Sequence, residues 1–157
     1  MAEQATSATT GEATCVLIPV GAQMLLLPNV TVAEILAWRR IKAFDGQPDW
    51  CAGLLGWRGQ NLPVVRFPVL NDMADADIEQ GRCILAMNRV RSPRGPAFYG
   101  LVASGLPRLV HLSSADVVNN RVGLGPAESA SVKVGTEVAV IPSLELIEGK
   151  LSSLPPL

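Results

Sequence analysis

Apolar residues along this chain come in short runs broken by glycine, proline and polar turn residues, a spacing that suits β-strands better than long helices. Cys15-Val-Leu-Ile-Pro19 and Gln23-Met-Leu-Leu-Leu-Pro28 flank Val20-Gly21-Ala22, which predicts a hairpin with glycine in its turn. In Val32-Ala-Glu-Ile-Leu-Ala-Trp38, the residues Val32, Ile35 and Leu36 share one helical face, with Asn29 or Thr31 ahead as a cap. That segment reads as a short helix. A turn follows over Gly46 to Asp49, then two strands, Cys51 to Trp57 and Leu62 to Phe67, around a loop at Arg58-Gly59.

The second half continues in the same manner. An acidic link, Asn71 to Gly81, leads into a strand at Arg82 to Met87. A loop rich in arginine, proline and glycine then reaches Phe98 to Ala103. Leu106 to Leu112 is another extended run, and Ser113 to Ser131 reads as a long polar loop. Val132-Lys-Val134 and Glu137 to Ile141 form a closing hairpin around Gly135-Thr136. Pro142 then opens a terminal helix over Ser143 to Glu148. Many short strands with little helix predict an all-β barrel or sandwich; the pattern does not separate the two.

Composition narrows the possible partners. The 157 residues suit one domain with a real core, residues 14–149, between an N-terminal tail (1–13) of Ala, Thr, Ser and Glu and a short C-terminal tail (150–157). Formal net charge is −1 with no block of like charge, so a nucleic-acid or anionic-membrane surface is not expected. Arg89, Arg91 and Arg94 lie among Ser, Pro and Gly and read as a solvated loop. No apolar run reaches the length of a membrane span. Cys15, Cys51 and Cys83 are odd in number, widely spaced and set among apolar neighbours, as packed, reduced thiols of a cytosolic protein would be.

Candidate chemistry is thin. His111 is the single histidine, without the paired ligands zinc needs, and reads as a strand-end residue. A Cys-His nucleophile would require one of three apolar-flanked thiols, which are inert in such settings. Asp72, Asp75 and Asp77 lack the glycine and the acidic residue of a calcium loop, and Gly123-Leu-Gly125 lacks the third glycine of a dinucleotide fingerprint. No enzyme, cofactor or metal is expected. Arg58 is the exception to these bland readings. It is an arginine in a glycine-flanked turn after an apolar strand, where structure alone has little need of one; it reads either as a solvated turn residue or as a cation placed to meet a carboxylate.

The run Gly53-x-x-x-x-Arg58-Gly59-x-x-x-Pro63-Val64, together with Val32-x-Glu34-Ile35, resembles the signature of CheW-like domains, and similar features extend from Thr14 to Glu148. The resemblance implies two small, SH3-like, five-stranded β-barrels packed side by side, with brief helices including one at the C-terminus. It implies a chemotaxis adaptor of a two-component system, with no catalysis. Such an adaptor is cytoplasmic, associated with receptor arrays at the inner membrane. It joins the cytoplasmic tip of a methyl-accepting chemoreceptor to the regulatory domain of a CheA-type histidine kinase. Glu34 and Arg58 are then expected close together near the inter-barrel region, with Gly59, Val32, Ile35 and Trp57 as further partner-binding residues. Apolar walls with a charged rim would suit a receptor helix in a groove.

Some positions depart from the family. Gly56 stands where asparagine is common, Trp57 where an aliphatic residue is usual, and Arg66 where many members carry an acid. Val140-Ile-Pro-Ser143 replaces a stretch that commonly bears aspartate. These departures fit a divergent adaptor, such as those linked to type IV pili and twitching. The competing classes are a small ligand-binding β-barrel, which would need an apolar pocket with converging polar groups, and a structural subunit of another assembly that reuses the fold.

Overall fold

The computed structural model describes residues 12–73 and 81–155. Most of the acidic link, nearly all of the N-terminal tail, Pro156 and Leu157 lie outside those residues. Among the described residues, eleven strands carry the fold: β1 (Ala13–Val20), β2 (Gln23–Pro28), β3 (Val32–Ala37), β4 (Cys51–Trp57), β5 (Gln60–Val65), β6 (Cys83–Asn88), β7 (Phe98–Ala103), β8 (Arg108–Leu112), β9 (Val117–Asn119), β10 (Glu128–Val134) and β11 (Glu137–Pro142). Helices are few: α1 (Phe67–Leu70) and the terminal α2 (Leu144–Ser152).

The strands form two sheets. The first has six strands in the order β8-β1-β2-β11-β10-β9; the second has five, in the order β3-β6-β7-β5-β4. The second has the strand number the family resemblance implied, and the first carries one more, the three-residue β9. Each sheet wraps a core of its own. Leu17, Leu26, Leu112, Val132 and Ala139 fill the first, while Leu36, Leu55, Trp57, Leu62, Val64, Ile84, Ala86 and Val102 fill the second.

A third and larger cluster joins the sheets. It takes Val16, Ile18, Leu25 and Leu27 from the first sheet and Leu85, Met87, Tyr99 and Leu101 from the second, with Ile147 and Leu151 of α2. Side chains alternate faces along a strand. In β1, Leu17 therefore enters the first sheet's own core while its neighbours Val16 and Ile18 enter the seam. In β6, Ile84 and Leu85 divide in the same way. Both faces are buried, which is why these strands read as continuous apolar runs without polar alternation.

Three local expectations are corrected. The segment at Val32 is not a helix. A three-residue 3-10 turn, Asn29–Thr31, is followed directly by strand β3, paired antiparallel with β6. The apolar spacing that suits a helix also suits a strand whose Leu36 faces one core and whose Val32 packs on another, and pairing to the buried β6 selects the strand. The long loop at Ser113–Ser131 contains a 3-10 turn (Ser114–Asp116) with a Ser113/Asp116 capping box, then β9 and the start of β10. The final helix does not open at Pro142, which ends β11. Ser143 caps it by accepting from the Leu146 N–H at 3.2 Å, and it runs to Ser152, into the expected tail.

Two polar clusters tie the elements together. The buried Asn71 accepts from the Ala127 N–H at 3.0 Å and donates to Glu128 at 2.6 Å and Gln23 at 3.2 Å, joining the end of α1 to β2 and β10. Glu128 is pulled two ways. Burial raises its carboxyl pKa, and the Asn71 and Gln23 amides outweigh that, holding it below the ordinary glutamate value. A carboxyl held lower in the folded than in the unfolded chain adds stability above the unfolded pKa and loses it as pH falls through the folded one. The melting-temperature gap between wild type and Glu128→Gln should therefore be widest near neutrality and close as pH drops below about 4. A gap constant across that range would show that this network does not favour the ionised carboxyl. The second cluster centres on Glu148 of α2, buried to 1% exposure, which accepts backbone N–H groups from Val90, Arg91 and Ser92 at 2.6–2.8 Å.

Candidate partner-binding site

Strands β4 and β5 meet in a two-residue turn, with Trp57 paired to Gln60 and only Arg58-Gly59 between them. Both turn residues have positive φ, +49° at Arg58 and +75° at Gly59, as a type I′ hairpin requires. Glycine adopts this freely, but a side-chain-bearing residue there is disfavoured by roughly 1–2 kcal/mol. Arginine thus occupies a position where asparagine or glycine would be the relaxed choice. The Arg-Gly pair between two apolar runs was the sequence signal for this turn; the strain at Arg58 itself was not legible.

The turn lies at the closing edge of the second sheet, where β3 and β4 are the outermost strands. Arg58 Nη2 donates to Glu34 Oε1 of β3 at 3.0 Å, and the indole Nε1 of Trp57 donates to the same oxygen at 3.0 Å. The Arg58 guanidinium also stacks over the Trp57 ring, 4.5 Å from its centroid. The Arg58 and Glu34 side chains are 64% and 41% exposed, so their pair adds little to folding stability. Structurally it bridges the two edge strands of one sheet, where the resemblance had suggested the inter-barrel region.

The expected site residues divide between two surfaces. Glu34, Trp57, Arg58 and Gly59 gather at this edge. Trp57 is nevertheless a core residue at 5% exposure, packed edge-on against Phe98 and with its N–H taken up by Glu34. Val32 packs against the cluster between the sheets, and Ile35 is registered with Leu85 of that cluster and half exposed. They line the seam side, with the exposed Val30 before them. Beside the hairpin lies a depression of about 600 Å³ lined by Arg40, Lys42, Phe44, Leu54, Gly56 and Asn61. Its rim is basic and its floor partly apolar, and nothing in the sequence pattern had pointed to it. Lys42 forms its wall through paired backbone hydrogen bonds with Leu54, both 2.8 Å.

The remaining candidates stay scattered. Among the described residues, no three metal-ligating side chains gather. His111 is exposed in β8, its Nδ1 3.1 Å from the Thr14 hydroxyl. Cys51 and Cys83 are buried and Cys15 partly so; burial pushes all three thiols above their ordinary pKa. Such thiols are poor nucleophiles. Among the described residues, no helix is long and apolar enough to cross a membrane.

Comparison with known proteins agrees with this architecture. The crystal structure of the scaffolding protein TtCheW from Thermoanaerobacter tengcongensis superposes with a TM-score of 0.68 over 83% of each chain, at 13% sequence identity. That likeness establishes a shared fold. No curated protein matches the sequence significantly. The family description "CheW-like domain" matches residues 14–149, which hold ten of the eleven strands in full and all but the first residue of β1. With nearly all of its folded elements inside that match, the chain belongs to the CheW-like domain family.

Proposed function

We propose that this protein is a non-enzymatic scaffold that couples the cytoplasmic tip of a methyl-accepting chemoreceptor to the regulatory domain of a CheA-type histidine kinase, working in the cytoplasm at receptor arrays. Family membership supports the scaffold role. The observation that carries the site assignment is Arg58, a charged side chain kept in a backbone conformation it disfavours and displayed at a sheet edge beside Glu34. Strain of this kind persists where the surroundings or the function require it. Charges at such an edge set the orientation and specificity of docking.

Arg58→Asn tests the assignment without disturbing the turn, because Asn-Gly is the favoured I′ pair. Thermal melting should show stability at or slightly above wild type. Calorimetric titration with the isolated kinase regulatory domain and with a receptor-tip fragment should show binding to one of them weakened by roughly 2–5 kcal/mol, the usual cost of truncating one partner of a hydrogen-bonded interfacial charge pair. Wild-type affinity for both would reduce Arg58 to turn decoration.

A further inference from the structure

We infer that Trp57 is a positioning residue, locking Glu34 and Arg58 into one preformed unit that a partner must meet with an acceptor and a donor side by side. This rests on the docking role proposed above. Three contacts close the unit. The Trp57 N–H and the Arg58 Nη2 both donate to Glu34 Oε1 at 3.0 Å, and the guanidinium lies over the indole face. The indole is itself packed in the second sheet's core and against Phe98, with ring centroids 5.1 Å apart. Two long, exposed side chains would otherwise sample many rotamers, and ordering them on binding weakens association. Here a buried ring has already ordered both.

The geometry also sets the chemistry of the partner. Oε1 is occupied twice, so Oε2 is the oxygen Glu34 has left to offer, and Arg58 retains donors beyond the Nη2 used here. A purely acidic surface would meet the Glu34 carboxylate and a purely basic one the guanidinium. The complementary surface presents a carboxylate or carbonyl oxygen for Arg58 next to an N–H or cationic donor for Glu34. Specificity then comes from the repulsion of single-sign surfaces as well as from the match.

The test compares Trp57→Phe, which keeps a smaller ring in the core and removes the N–H together with the indole's second ring, with Glu34→Gln and Arg58→Asn; thermal melting of each variant separates lost packing from lost positioning. Each is titrated against the kinase regulatory domain and the receptor-tip fragment. Trp57→Phe should bind roughly 5–10-fold more weakly at the partner that senses Arg58, the size expected from freeing one or two rotamer-rich side chains. Added to Glu34→Ala, it should cost little more, because that truncation already removes the oxygen the Trp57 N–H meets. The indole N–H resonance of Trp57 should shift in Glu34→Gln and in Arg58→Asn while those of Trp38 and Trp50 stay in place. If Trp57→Phe keeps wild-type affinity while Arg58→Asn loses it, the positioning role is overturned and the docking site stands. If all three variants bind as wild type, the docking site falls as well. A Trp57 resonance indifferent to both other variants would overturn the preformed unit whatever the affinities.

Discussion

Glu148→Ala is expected to lose roughly 3 kcal/mol of stability, and possession of a charged acceptor is the reason. The carboxylate is buried midway along α2, between the seam residues Ile147 and Leu151, and accepts three backbone N–H groups from the loop after β6. Bonds to a charged acceptor are each worth about 1.5–3 kcal/mol, and part of that loss is recovered as water reaches the exposed side of the loop. Burial first, and the Glu148 charge second, push the pKa of the neighbouring Tyr99 phenol upward, so the carboxylate's field extends into the seam. Glu148→Gln should lose less, about 1 kcal/mol, since its oxygen still accepts while its amide nitrogen opposes a donor. Urea unfolding of both variants measures this. Equal and small losses would mean that helix packing alone, through Ile147 and Leu151, holds α2 in place.

Phe67→Ala is the second large effect, expected at about 3–5 kcal/mol. Phe67 is fully buried in the cluster shared by the two sheets, at the first residue of α1. The cavity left there loosens both sheets together. Tryptophan fluorescence reports on the second sheet's own core through Trp57 and on the seam through Trp50, while far-ultraviolet dichroism reports on both sheets. The two probes should give one coincident transition in wild type and in Phe67→Ala, with the variant's midpoint lowered. A melt that separates into two dichroism transitions, with fluorescence following just one, would show that the sheets fold independently and that the seam couples them weakly.

The sequence was most legible where local pattern and tertiary need coincide. Gly21 and Gly135 turn between adjacent apolar runs, with positive φ at both, and their hairpins appear as read. Gly59 likewise has the positive φ its place in the Arg-Gly turn implied. The Arg-Gly turn suggested a cation placed for a carboxylate, but the choice of Glu34 rested on the family resemblance, and the fold alone brings the two side chains together. The helix expected at Val32–Trp38 failed because a few apolar positions fit either period over so short a span. Only the partner strand, β6, distinguishes them. β9 was invisible for a related reason: three residues, Val117–Asn119, carry too little pattern to signal a strand until β10 is there to pair with them.

What the sequence determined alone is what depends on nearest neighbours: turn chemistry, the apolar runs, the absence of a charged stripe and the motif that marks the family. What only the tertiary structure decided is which face of each strand enters which core, and which distant side chains meet. Adjacent residues such as Leu17 and Ile18 are equally apolar, so nothing local says that one fills a barrel and the other the seam. Nor does any local rule place Trp57 against Glu34, residues 23 apart, or Glu148 against a loop 56 to 58 residues away. Those meetings follow from the curvature that brings β3 beside β4 and from the docking of α2. They require the whole chain, because each buried polar group finds its partner only after the apolar surfaces around it have closed.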